Sequence, residues 1–284
     1  MKTPLLSDIT NCLASISDTP ALDASVLLAH IINKPRTWVM AHPELSISTE
    51  QQKQLDDSLA QLERGKPFPY VLGHWEFFGL DFDITPDVLI PRPETELLVE
   101  KAIAWLQKFP TKRIIADIGT GSGAIAISIA VNITDANVLA TDISPKALQA
   151  AKQNAIKHGV NNKIEFIECD LLPNQSQIVN RKSSINLLCA NLPYIPTRTL
   201  YNLPIYEREP TIALDGGQDG LDLLRRLMKL APKWISPDSL ILLEIEATLG
   251  KQTTKLAREL FPNANIQLHQ DLSGRDRLLE IELP

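Results

Sequence analysis

The sequence has few cysteines, no basic block and no long apolar run, and each shortage removes a class of protein. Its three cysteines, Cys12, Cys169 and Cys189, are far apart and form no CxxC pair. That excludes a disulfide framework and a cysteine-based zinc site, and it fits a reducing cytoplasm. His30, His42, His74, His158 and His269 are scattered without metal-ligand spacing, so no metal is expected. Lys and Arg total 28 against 34 Asp and Glu, a formal net charge of -6. With no dense Lys/Arg cluster, a nucleic-acid partner held through its phosphates is not expected. No stretch approaches the roughly 18 apolar residues needed to span a bilayer. The first twenty residues contain Asp8 and lack the apolar centre of a signal peptide. The expectation is a soluble, cytoplasmic protein without membrane contact.

What is present divides into two rhythms. At 284 residues the chain has room for one large and one small domain. Leu22, Val26, Leu27 and Ile31 recur at helical spacing after Pro20, and Leu55, Leu59 and Leu62 do so before Gly65. These segments have too little apolar area for an enzyme core and read as a small helical domain over 1–73. WEFFGLDFDI, with Gly79 between two β-prone runs, predicts a hairpin within a junction at 74–90. Over 91–284 the pattern alternates. Strands are expected at 113–118, 137–142, 164–169, 185–190, 240–245, 266–268 and 277–281. Helices are expected at 123–131, 145–158, 221–230 and 251–260, with Ser144 as an N-cap. This alternation predicts an α/β, doubly wound, mostly parallel sheet with helices on both faces.

Asp117-Ile-Gly-Thr-Gly-Ser-Gly123 lies between a predicted strand and a predicted helix. Gly119, Gly121 and Gly123 let the backbone turn sharply and approach a ligand closely. About twenty residues on, Asp142 ends the next strand, where a carboxylate can accept both hydroxyls of a ribose. A plain strand-to-helix turn would use the same glycines. A nicotinamide dinucleotide would too, but an anionic Asp117 repels a pyrophosphate and suits the ammonium of a methionine moiety. The loop therefore favours S-adenosylmethionine. Asp170 and Leu171, past the third strand, stand where an adenine would rest, although an ordinary strand-end turn reads the same way.

Asn191-Leu-Pro-Tyr194 follows the apolar strand INLLCA. Strand carboxyl ends line the ligand crevice of a doubly wound sheet, so this loop faces the same cleft as the glycine turn. An amide nitrogen is a poor nucleophile because its lone pair is delocalised into the carbonyl. Two acceptors, the Asn191 side-chain oxygen and the Leu192 carbonyl, can hold its N–H bonds and aim the nitrogen at a sulfonium methyl. Pro193 fixes the loop and Tyr194 can pack on the planar acceptor group. On this reading position 192 contributes only its carbonyl, so Leu192→Pro is expected to keep substantial activity.

With these residues assembled, the chain resembles the release factor glutamine methyltransferases of the HemK/PrmC type over nearly its whole length. The resemblance is carried by Val88–Glu100 (VLIPRPETELLVE), Asp117–Gly123, Asn191–Tyr194, Leu214–Asp222 (LDGGQDGLD) and Gly274–Arg277. It implies a Rossmann-like class I methyltransferase fold whose seven-stranded sheet has its last strand antiparallel to its neighbours. It implies transfer from S-adenosylmethionine to the side-chain amide nitrogen (N5) of the glutamine in the Gly-Gly-Gln motif of class I peptide chain release factors. S-adenosylhomocysteine would be the product. Gly119, Thr120, Gly121, Ser122, Gly123, Asp142 and Asn191 would bind the cofactor, with Leu171 at the adenine. Asn191, Leu192, Pro193 and Tyr194 would hold the glutamine, and the helical domain would grip the release factor.

The family usually has Asn-Pro-Pro-Tyr where this chain has Leu192, and Asn-Leu-Pro-Tyr also occurs in enzymes that dimethylate adenine in ribosomal RNA. The alternatives are therefore an adenine-N6 methyltransferase on RNA or DNA and a non-catalytic nucleoside-binding protein. Gly216-Gly217-Gln218, which imitates the substrate motif, reads as a turn before the helix at Leu221. Arg92 and Glu94 stay outside the catalytic set.

Overall fold

The computed structural model describes residues 5–173 and 184–284. The chain forms two compact units, Met1–Gly73 and His74–Pro284. The first contains α1 (Leu5–Leu13), α2 (Pro20–Ile32), α3 (Arg36–Ala41), α4 (Thr49–Glu63) and α5 (Phe68–Leu72). Its core includes the buried Ile9, Leu13, Leu27, Leu28 and Leu55. Ser48 starts α4 through a capping box: its hydroxyl accepts from Gln51 N, and Gln51 Oε1 accepts from Ser48 N. Short α3 and α5 escape a periodicity reading because neither offers two full turns.

The second unit opens with a hairpin, β1 (His74–Phe77) and β2 (Leu80–Asp83). It continues with α6 (Glu96–Lys108), β3 (Ile114–Ile118), α7 (Ala124–Asn132), β4 (Asn137–Asp142), α8 (Pro145–Lys157) and β5 (Ile164–Glu168). Then come β6 (Ile185–Ala190), α9 (Thr197–Leu200), α10 (Asp222–Leu230), β7 (Ile235–Glu244), α11 (Gly250–Leu260), β8 (Asn265–Gln270) and β9 (Asp276–Glu282). Ser144 caps α8 by accepting from Ala147 N. The hairpin packs on α8, and the fully buried Asn154 ties the two together. Its Oδ1 accepts from Asp83 N at 2.8 Å, and its Nδ2 donates to the carbonyls of Asp83 and Ser122.

Seven strands form one sheet in the order β5-β4-β3-β6-β7-β9-β8. The first five are parallel, whereas β9 runs antiparallel to both β7 and β8. Ile115 to Ile118 of β3 are all fully buried, as a central parallel strand covered on both faces requires. β7 begins at Ile235, before the apolar run LILLEI, and Ser236-Pro237-Asp238-Ser239, with Pro237 and Asp238 exposed, breaks the apolar pattern and conceals its start.

The chain winds from β3 outward to β5, then returns to β6 on the other side of β3, and ligand crevices open at such a reversal. Ile118 pairs with both Thr141 and Ala190, and Ala190 pairs with Leu243. Gly119, Asp142, Asn191 and Glu244 each follow one of these paired residues. The register therefore brings four distant residues to one level on the carboxyl edge. No helix among the described residues is long and apolar enough to cross a membrane.

Candidate active site

The turn after β3 is held from below by β4: Gly119 N and Thr120 N both donate to Thr141 O, at 2.9 and 2.8 Å. Gly119 has φ +74°, and a Cβ there would lie 2.9 Å from Leu192 Cδ2. Gly123 has φ +85°, and a Cβ would press on Ala151 of α8. Thr120 and Ser122 are buried, and Thr120 Oγ1 donates to Asp117 Oδ2 at 2.7 Å. What these two residues can offer a ligand is backbone.

Asp142 is fixed at both oxygens. Gly121 N donates to Oδ2 and Ser144 N donates to Oδ1, each at 2.9 Å. Each oxygen keeps a lone pair for a further donor, as two neighbouring hydroxyls need. Burial raises its pKa from the ordinary aspartate value, while these backbone bonds oppose the rise. Asp117 is fully buried, with Oδ2 accepting from Thr120 and from Ala126 N. Its Oδ1 is buried without a hydrogen-bond partner among the described residues. Burial pushes its pKa up to about 6. A buried acceptor left over beside a glycine turn suits an ammonium-bearing ligand, so these residues fit S-adenosylmethionine.

A cavity of about 480 Å³ follows the carboxyl edge of the sheet. Gly119, Gly121, Asp142, Leu171, Asn191 and Pro193 contribute to its wall. Asp170 lines it as well, but one of its oxygens is taken by Arg226 Nη2 at 2.5 Å. Leu171 adopts φ +67°, and its carbonyl accepts from Thr141 Oγ1 at 2.7 Å, which fixes this corner of the wall.

Asn191, Leu192 and Pro193 line the cavity, whereas Tyr194 does not. Leu192 is 3% exposed and packs into the core against the glycine turn. The expectation that position 192 supplies only a carbonyl is therefore corrected: its side chain spaces the two loops. Proline's shorter side chain would lose that contact, so Leu192→Pro should also disturb the glycine turn.

Behind the loop lies a buried polar chain that reading along the sequence missed. Asn191 Nδ2 donates to Thr95 Oγ1 at 3.0 Å, and Thr95 Oγ1 donates to Glu244 Oε2 at 2.6 Å. The Tyr194 hydroxyl donates to Glu244 Oε1 at 3.3 Å. Desolvation pushes the Glu244 pKa up to about 7, against the lowering effects of Thr95, Arg277 and Tyr194. Burial, with the nearby Glu244 carboxylate, raises the Tyr194 pKa too, so its phenol stays protonated. A charged residue closing the run LILLE was the available signal for Glu244.

The loop is also clamped from the 214–222 segment. Gly216 N donates to Ile195 O, Ile195 N to Leu214 O, and Thr197 N to Gly217 O. A Cβ at Gly216 would sit 2.7 Å from Tyr194 Cα, and one at Gly220 only 2.3 Å from Tyr194 O. Gly216 and Gly217 thus serve as a backbone brace. Arg92, left outside the catalytic set, pairs with the buried Glu209. Glu209 also accepts from Ile90 N at 3.0 Å, which anchors the segment carrying Thr95.

Known proteins bear on this arrangement directly. Residues 4–73 match the family model described as the PrmC N-terminal domain, and residues 111–210 match one described as a methyltransferase domain. A release factor glutamine methyltransferase of Moorella thermoacetica is 40% identical over 92% of this chain and 90% of that relative. The Flavobacterium psychrophilum protein of the same name is 36% identical over 97% of this chain and 96% of its own. Among solved structures, a methyltransferase from Pyrococcus furiosus aligns with a TM-score of 0.51 at 15% identity, over 83% of this chain and 98% of that one. That likeness concerns the fold alone.

Proposed function

The chain belongs to the release factor glutamine methyltransferases, and from that membership together with the cleft geometry we propose how it works. It transfers a methyl group to the side-chain amide nitrogen of the glutamine in the Gly-Gly-Gln motif of class I peptide chain release factors. The observation that carries this reading is Asn191 beside the glycine turn, with its side-chain nitrogen spent on Thr95. Its Oδ1 is left to accept an amide N–H in the cleft, and the Leu192 carbonyl accepts the other. Held at both N–H bonds, the substrate amide cannot rotate, and its nitrogen faces one direction. Pro193 limits the loop's own freedom, and Tyr194, tied to Glu244, supports it from behind.

S-adenosylmethionine, when bound, supplies an electrophilic methyl on a sulfonium and leaves as S-adenosylhomocysteine. Asp142 would hold its ribose hydroxyls, Asp117 its ammonium, and Leu171 and Asp170 its adenine. Gly119 and Gly121 allow close approach, while the backbone of Thr120, Ser122 and Gly123 completes the turn. The N–C bond forms as the S–C bond breaks, and the methylated amide then releases an acidic proton to solvent. The reading assigns no step to a metal ion. The helical unit Met1–Gly73 would contact the release factor, and the reaction would belong to the cytoplasm, where release factors act.

Asp142→Ala is expected to weaken S-adenosylmethionine binding roughly 10- to 100-fold, the cost of losing bonds to a charged acceptor. Calorimetric titration checks this, and an unchanged affinity would remove Asp142 from the ribose site. For the substrate, labelled S-adenosylmethionine is offered with release factor, ribosomal RNA and duplex DNA in parallel. Label is expected in the release factor. Label in nucleic acid with none in protein would establish the adenine reading instead.

A further inference from the structure

Thr95 and Glu244 lie 149 positions apart in sequence yet share a buried hydrogen bond. Direction along this chain is what matters. An ionised carboxylate only accepts, so Thr95 must give its one hydroxyl proton to Glu244. Having spent that proton, Thr95 can only accept from Asn191. The amide of Asn191 must then turn its NH2 group to Thr95 and its oxygen toward the cleft.

We propose that Thr95 and Glu244 are positioning residues for methyl transfer: the Glu244 carboxylate, acting through Thr95, fixes which end of the Asn191 amide meets the substrate. The proposal rests on the glutamine-amide reading above and deepens it. Without the relay, a primary amide can flip at little cost, and a flipped Asn191 offers donors where the substrate also offers donors. Such a complex holds the substrate N–H bonds poorly and leaves the nitrogen unaligned.

The surroundings of Glu244 agree with a purpose beyond packing. Thr95 and Glu94 face it from the turn before α6, Tyr194 from the loop after β6, and Arg277 from β9. Arg277 is itself shared with Asp271, at 3.2 Å, and Arg92 acts on Tyr194 from the α6 side. Since its folded pKa lies above the ordinary glutamate value, the stability Glu244 contributes is greatest at low pH. That contribution is lost as pH rises through about 7. The fold is therefore weakened by the same ionised form that the relay needs. Two donors, Thr95 and Tyr194, converge on the carboxylate, and protonation forces one of them to become an acceptor. When Thr95 is the one that turns, its proton moves toward Asn191 and the amide flips.

The test uses the full chain with release factor, in single-turnover reactions at saturating S-adenosylmethionine. Thr95→Val, which keeps shape but removes the hydroxyl, is expected to lower the methyl-transfer rate by about tenfold or more. Its cofactor Kd should stay within about twofold of wild type, since Thr95 lies outside the cofactor contacts. Thr95→Ser restores the hydroxyl and should recover most of the loss, which a simple packing role would not produce.

In the wild type the rate is expected to fall severalfold from about pH 8 to about pH 6, as Glu244 takes up a proton. Glu244→Gln, with no proton to gain, should be slower and lose that dependence. Thermal midpoints identify any variant that fails to fold. If Thr95→Val does so, the Thr95→Ser rate and the Glu244→Gln pH profile decide the matter. A folded Thr95→Val at wild-type rate, a Thr95→Ser that loses its rate, or a Glu244→Gln that keeps the acid limb would overturn the relay. Failure of the wild type to label release factor would instead overturn the functional reading, so the two failures are separable.

Discussion

Replacing Asn191 with alanine is expected to lower the single-turnover rate of glutamine methylation by about a hundredfold or more. The substrate amide would keep one acceptor, the Leu192 carbonyl, and could rotate about it. Cofactor affinity should change little, because the ribose and methionine contacts assigned to Asp142 and Asp117 are untouched. Stability should fall by only about 0.5–1.5 kcal/mol, the net worth of the lost bond to Thr95. Rapid-quench kinetics, titration and a melting curve separate these quantities. A normal single-turnover rate in a folded variant would show that Asn191 does not orient the amide.

The second large effect is expected at Gly220. With φ +78° and Tyr194 O only 2.3 Å from the place of a Cβ, Gly220→Ala pays twice. The left-handed backbone costs an L-residue roughly 1–2 kcal/mol, and the clash with backbone adds about 1–3 kcal/mol more. The Tyr194 carbonyl has to move, and the Asn191–Tyr194 loop moves with it, so turnover should drop by about tenfold or more. Gly274→Ala is the matched control: its φ is +73°, but nothing lies within 4 Å of the added carbon. It should pay the conformational cost and keep its rate. Equal rates in the two variants would show that close approach of the 214–222 segment does not hold the site.

Much of this molecule is legible along the chain because its chemistry is written in local residue types. The glycine turn, Asp142 at a strand end and the Asn-Leu-Pro-Tyr loop each declare themselves within a few residues. The sheet's alternation then places all three on one edge. The last strand, antiparallel to its neighbours, follows from the family resemblance and is present as β9. What stays hidden is hidden for physical reasons. The Asn191–Thr95–Glu244 chain depends on strand register, which brings distant residues level only once the sheet is built. Leu192 reads as a loop residue, and nothing local shows that its side chain turns inward against Gly119. Arg92 and Glu209 meet across more than a hundred residues to pin the segment that carries Thr95, and nothing local announces that pairing.

Fragment mass spectrometry shows whether the methyl group goes to a glutamine amide nitrogen. Release factor is incubated with this protein and S-adenosylmethionine, digested, and the peptide containing Gly-Gly-Gln is sequenced in the instrument. One added methyl is expected on the glutamine side-chain nitrogen, and none in release factor incubated without the protein. A methyl group on any other residue, or an unmodified peptide while adenine in RNA is methylated, would contradict it.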